Sequence, residues 1–117
     1  MKKLIAPLAG GLLLLLSSLV PAQDVMKYDL KQWTVMAEND EARVLKYAPE
    51  KGARTPVHSH PSTVVYVVKG GKVKTTMPDG SAQDREFKTG TAFLRAAETH
   101  SDEALDDVEI IFVELKK

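Results

Sequence analysis

The chain has 117 residues, with 16 basic and 16 acidic side chains, three histidines and no cysteine. That charge balance excludes the basic surface that nucleic acid or an anionic membrane would select. The lack of cysteine excludes disulfides, thiol chemistry and lipid attachment through an N-terminal cysteine, so the fold must stand on its hydrophobic core.

The N-terminal segment has the make-up of a cleavable signal peptide. Lys2 and Lys3 form a short positive region, residues 4–20 are almost wholly apolar, and Val20-Pro21-Ala22 places small residues before a cut after Ala22. An uncleaved anchor is the rival reading. The apolar stretch is shorter than the roughly 20 residues of a spanning helix, and Pro7, Gly10 and Gly11 interrupt it. Export with cleavage is therefore expected, to the periplasm or the outside, with no membrane contact in the mature form. Removing 22 of the 117 residues leaves 95, one small domain over 23–117. It takes two of the 16 basic residues and no acidic one, leaving a formal charge of −2. Dimerisation would help so small a domain without being demanded by the sequence.

After residue 23 no segment sustains a helical period, and the chain reads as short strands divided by turns. Strands are expected over 32–36 and 43–47, separated by a polar cluster at 38–41, with Pro49-Glu50-Lys51-Gly52 closing the second. Residues 54–60 are expected to be extended because Pro56 and Pro61 disfavour helix in the residues before them. Thr63-Val64-Val65-Tyr66-Val67-Val68 is the strongest strand signal, β-branched and aromatic throughout. Gly70-Gly71 reads as a two-residue hairpin turn into a strand at 72–77, and Pro78-Asp79-Gly80 as a second turn. Further strands are expected at 83–88, 91–96 and 108–115. Such short strands, with turns every eight to twelve residues, indicate an all-β sandwich or barrel. Trp33, Tyr66, Met77, Phe93 and Phe112 are expected in its core.

All three histidines fall where one site could use them. His58 and His60 share a face of an extended segment, since residues i and i+2 point the same way. His100 follows 40 residues later in a polar run at 98–103, ahead of another apolar strand. Three neutral imidazoles on one face suit a divalent transition metal with a position left open. The bland alternatives are an exposed loop for the pair and a surface side chain for His100.

Strand content, length and histidine placement together resemble the cupin superfamily, in its small single-domain form. Its first motif runs Gly, five residues, His-x-His, three or four residues, Glu, six residues, Gly. Gly52, His58, His60 and Gly71 keep that spacing, and Val64 stands in place of the Glu. The second motif runs Gly, five residues, Pro-x-Gly, two residues, His, three residues, Asn. Gly90 and His100 follow it one residue short, with Ala96 for Pro, Glu98 or a neighbour for Gly, and Ala104 for Asn. The resemblance implies a double-stranded β-helix, a jelly-roll-like barrel, over about residues 30–116. It also implies a divalent metal (Fe, Mn or Zn) at His58, His60 and His100, without the usual glutamate ligand.

Glu98 is the nearest acidic candidate for a fourth ligand or a general base, with the solvated barrel rim as its alternative place. Arg54 and Arg95 flank the motifs and could hold a substrate carboxylate, although a solvated charge is the commoner fate. Three functions follow as rivals: a metal-dependent enzyme of dioxygenase or isomerase type on a small polar molecule, a non-catalytic binder of metal or small ligand, and a metal-free structural barrel.

Overall fold

The computed structural model describes residues 23–117; the expected signal peptide at 1–22 lies outside them. Ten strands form two five-stranded sheets. One has the order β1 (Gln23–Asp24), β4 (Arg54–His60), β9 (Glu98–Ala104), β6 (Gly71–Thr76), β7 (Ala82–Phe87). The other has the order β2 (Trp33–Glu38), β3 (Ala42–Tyr47), β10 (Glu109–Leu115), β5 (Thr63–Lys69), β8 (Ala92–Arg95). Every pairing is antiparallel except β1 against β4. A 3₁₀ turn, Val25–Tyr28, is capped by the Asp24 side chain. No helix among the described residues is long and apolar enough to cross a membrane.

The two sheets divide the interior chemically. β3, β5 and β10 turn Leu45, Tyr47, Val65, Val67, Ile110 and Phe112 inward, as their period-2 patterning dictates. The facing sheet turns in Thr55, His58, His60, Thr75 and His100 together with Val73, Phe87 and Ala104, all buried. A mixed wall thus meets an apolar one, and the histidines lie on its polar part. Tyr66 and Phe93, expected in the core, are about half exposed, because inward Val65 and Val67 force Tyr66 outward on the same strand.

Two expectations change. β9 is a strand of mostly polar sequence, ETHSDEA, where a solvated polar run was the alternative. Its inward positions before Ala104 are filled by polar side chains, so it lacks the apolar alternation that marks a strand in sequence. Gly70-Gly71 is not a hairpin turn: β5 and β6 belong to different sheets, and the two glycines carry the chain across between them. They are needed for close approach. A Cβ on Gly70 would stand 2.2 Å from the Phe87 carbonyl oxygen, and one on Gly71 would stand 2.8 Å from side-chain atoms of Asp106 and Val108. Gly70→Ala must displace backbone, and is expected to lower stability by about 2 kcal/mol or more in urea unfolding. An unchanged unfolding midpoint would remove the close-approach argument.

Register, more than spacing, aims the histidines. Thr55 pairs with Asp102 and His58 with His100, so Pro56 and Val57 together oppose Ser101 alone. This is a β-bulge. It lets Thr55, His58 and His60 all face inward, whereas strict alternation from Thr55 would send both histidines out. Pro56 suits the bulge, having no N–H to leave unpaired.

Candidate metal centre

His58, His60 and His100 come together inside the barrel, each at most 3% exposed. One ring nitrogen from each lies within 4.8 Å of the others. Each Nδ1 is committed to an oxygen that can only accept. His58 Nδ1 donates to the Pro56 carbonyl at 2.7 Å, His60 Nδ1 to Glu114 Oε2 at 2.6 Å, and His100 Nδ1 to Glu98 Oε1 at 2.7 Å. All three protons therefore sit on Nδ1 and all three Nε2 lone pairs are free. The buried Nε2 atoms of His58 and His60 have no hydrogen-bond partner. An unpartnered buried nitrogen costs about 1–3 kcal/mol, and a bound cation would satisfy both.

A carboxylate that could serve as a fourth donor, and that the sequence reading did not single out, belongs to Asp102. On β9 it follows His100 by two residues and so shares its inward face. Its Oδ2 is 3.4 Å from His100 Nε2 and 3.6 Å from His58 Nε2. Donors sharing a transition metal at about 2.0–2.2 Å stand about 3–3.5 Å apart, so Asp102 stands close to that range from two of the three imidazoles. The i+2 spacing from His100 was the signal that could have found it. Val64, where the motif places its acid, is on the outer face between Val113 and Leu94. Its inward neighbours are Thr63 and Val65.

Glu98 is neither in the cavity nor free on the rim. It accepts from both Arg85 terminal nitrogens at 2.8 and 2.7 Å while holding the outer nitrogen of His100. Glu114 does the same for His60, accepting from Arg43 at 2.6 and 3.1 Å, and Arg43 reaches on to Asp24 at 2.9 Å. Two imidazoles are thus each braced by a carboxylate that is itself braced by an arginine. Such outer partners fix tautomer and ring orientation and raise ligand basicity. Arg54, in contrast, is largely exposed beside Glu103 and takes no part.

Protonation follows from burial and from these pairs. Burial lowers His58 to about 4 and His100 to about 3, so both are neutral at ordinary pH. The hydrogen bonds from Arg85 hold Glu98 down at about 2. Burial raises Asp102 to about 6, opposed by the hydrogen bond from Thr75 at 3.2 Å. A histidine whose folded pKa is depressed loses stability as pH falls below its unfolded value, and an aspartate whose pKa is raised loses stability as pH rises. Two histidines outweigh one aspartate. Across about pH 4.5–5.5 the chelated protein is therefore expected to gain about 1.4 kcal/mol per pH unit, one net proton. Urea midpoints at the two pH values measure it, and a flat or reversed trend would contradict the burial of neutral imidazoles.

No family model matches the chain, and no curated protein matches it. Solved structures do. A cupin domain from Bordetella pertussis Tohama I is similar at 21% identity and TM-score 0.67, over 73% of this chain and 92% of that one. A cupin-2 domain containing protein from Shewanella frigidimarina NCIMB 400 is similar at 18% identity and TM-score 0.52, over 78% and 90%. KdgF from a Halomonas species is similar at 21% identity and TM-score 0.52, over 73% and 79%. At these identities the likeness establishes the fold: a small single-domain cupin barrel.

Proposed function

We propose that the mature chain binds one divalent transition metal through His58, His60 and His100, with Asp102 as fourth donor, and presents it to a small polar molecule outside the cytoplasm. The observation that carries this is the commitment of all three Nδ1 atoms outward, which leaves three buried Nε2 lone pairs beside one buried carboxylate. Three imidazoles and a carboxylate suit iron, manganese or zinc. Bound there, iron supports oxygenation, while zinc or manganese supports Lewis-acid isomerisation or hydrolysis. The chain's own part is to hold the donors at fixed angles and to exclude water with Trp33, Phe87 and Phe112.

A second reading, an ion-holding module without turnover, is favoured by the size of the inner space. It has room for about one water-sized guest. Protein recovered from the periplasm tests the shared core of both readings. It should begin at Gln23 by intact mass and carry about one metal per chain by elemental analysis. Full-length mass, or metal well below stoichiometric after saturation with iron, manganese and zinc in turn, would overturn export or binding respectively.

A further inference from the structure

The chain has four arginines, and three are matched by carboxylates. Arg43 is paired with Asp24 and Glu114, Arg54 with Glu103, and Arg85 with Glu98. Arg95, at the end of β8, is the exception among the described residues. No carboxylate lies within ion-pairing distance of it, and its buried Nε has no hydrogen-bond partner. Its guanidinium instead lies over the Phe112 ring, 5.2 Å from the centroid. Arg95 is partly buried, and a desolvated guanidinium without a direct carboxylate partner leaves its donors open to an incoming anion.

Position says which anion. Arg95 lines the inner space beside His60, His100 and Asp102, and it also lines a groove of about 460 Å³ that opens along β7 and β8. That groove offers an apolar wall of Phe87 and Phe93, whose rings stack with centroids 6.2 Å apart. Its other charges are Arg85 and Glu98, which satisfy each other, and Glu86 at the exposed rim. One free guanidinium against an aromatic wall matches a monoanion with a carbon body. A phosphate dianion would call for more donors than this groove supplies.

We infer that Arg95 anchors a small organic carboxylate, seated in the β7–β8 groove with its carbon body on Phe87 and Phe93 and its carboxylate turned toward the histidine cluster. The inference deepens the proposed function and rests on its open position for a small molecule, but the unpaired state of Arg95 does not depend on a metal. Buried Tyr47 Oη, also without a partner, lines the same inner space and is a second donor for whatever enters it. Arg95 stands between groove and cluster, so an incoming carboxylate meets it first.

The test titrates benzoate, and separately inorganic phosphate, into ¹⁵N-labelled mature protein in metal-loaded and chelated forms. The arginine Nε–H resonances are followed. Benzoate is expected to move the Arg95 resonance and to saturate near about 1 mM. Arg95→Lys should weaken it about fivefold and Arg95→Met about tenfold or more, since the lysine keeps charge without the fork. The wild-type resonance gives a result even where a variant folds poorly. A resonance unmoved by benzoate, binding by Arg95→Met within about twofold of wild type, or tighter binding of phosphate would overturn the inference. Arg95-dependent benzoate binding in a chain that takes up no metal would end the metal reading and leave this one standing. Metal uptake without an Arg95 response would do the reverse.

Discussion

Replacing His58 or His100 by alanine will abolish stoichiometric metal binding by the mature chain, while Glu98→Gln will weaken it by about 10–100-fold. Each imidazole supplies a donor that no neighbour can replace, since the remaining polar side chains of the cavity are Asp102, Thr75, Tyr47 and Arg95. Two imidazoles and one carboxylate can hold an ion in a site shaped for three donors, but here they would be left around a gap that no other donor fills, so the ion is expected to be lost on dialysis. Glu98 acts at one remove, fixing the proton on His100 Nδ1, so its loss loosens the ring without deleting a ligand. Because metal binds the folded state, wild type should melt higher with ion than with chelator, and the alanine variants should not respond. Elemental analysis after dialysis and melting with and without ion read both effects. Full metal content in His58→Ala and His100→Ala would end the metal proposal.

Arg43→Met is expected to be the most destabilising substitution outside the cluster. The Glu114 side chain is only 4% exposed, and Arg43 satisfies its Oε1. Removing the guanidinium leaves a buried carboxylate whose remaining partner is His60. Breaking a buried pair on one side costs about 3–5 kcal/mol, which for a domain of this size lowers the melting temperature by roughly 15 °C or more. Arg43 also ties strands of both sheets, reaching Asp24 on β1 and Glu114 on β10 from its own place on β3. The double variant Arg43→Met/Glu114→Leu should recover a good part of the loss, because it removes the stranded charge. A single variant within about 1 kcal/mol of wild type would show that water or His60 compensates Glu114.

The strands with β-branched or alternating sequence were legible from the chain alone: 54–60 coincides with β4, and β5 and β10 differ from expectation by one residue. β9 was not, because its inner face is Glu98, His100, Asp102 and Ala104, and polar alternation gives no hydrophobic period. The same fact hid Asp102. The Gly70-Gly71 pair carried a true signal, close backbone approach, that fitted a hairpin equally well; only the pairing of β6 with β9 and β7 separates the two. His58, His60 and His100 could be named from spacing, but their convergence depends on register between strands some forty residues apart. The bracing arginines, Arg43 and Arg85, lie 71 and 13 residues from the carboxylates they hold, distances over which no local pattern speaks.

The extra residue at Pro56-Val57 makes the site tolerant of one change in chain length where it is not tolerant of a change in composition. Exchanging one side chain in the cluster removes one donor and leaves the others aimed inward. Deleting Val57 would leave Pro56 alone opposite Ser101, with Thr55 still opposite Asp102 and His58 still opposite His100, so a regular ladder would keep Thr55, His58 and His60 on the inner face. Among natural variants of such a barrel, a lineage could shed this residue by a single in-frame codon deletion and keep the centre, with only the gap between Thr55 and the first histidine shortened by one.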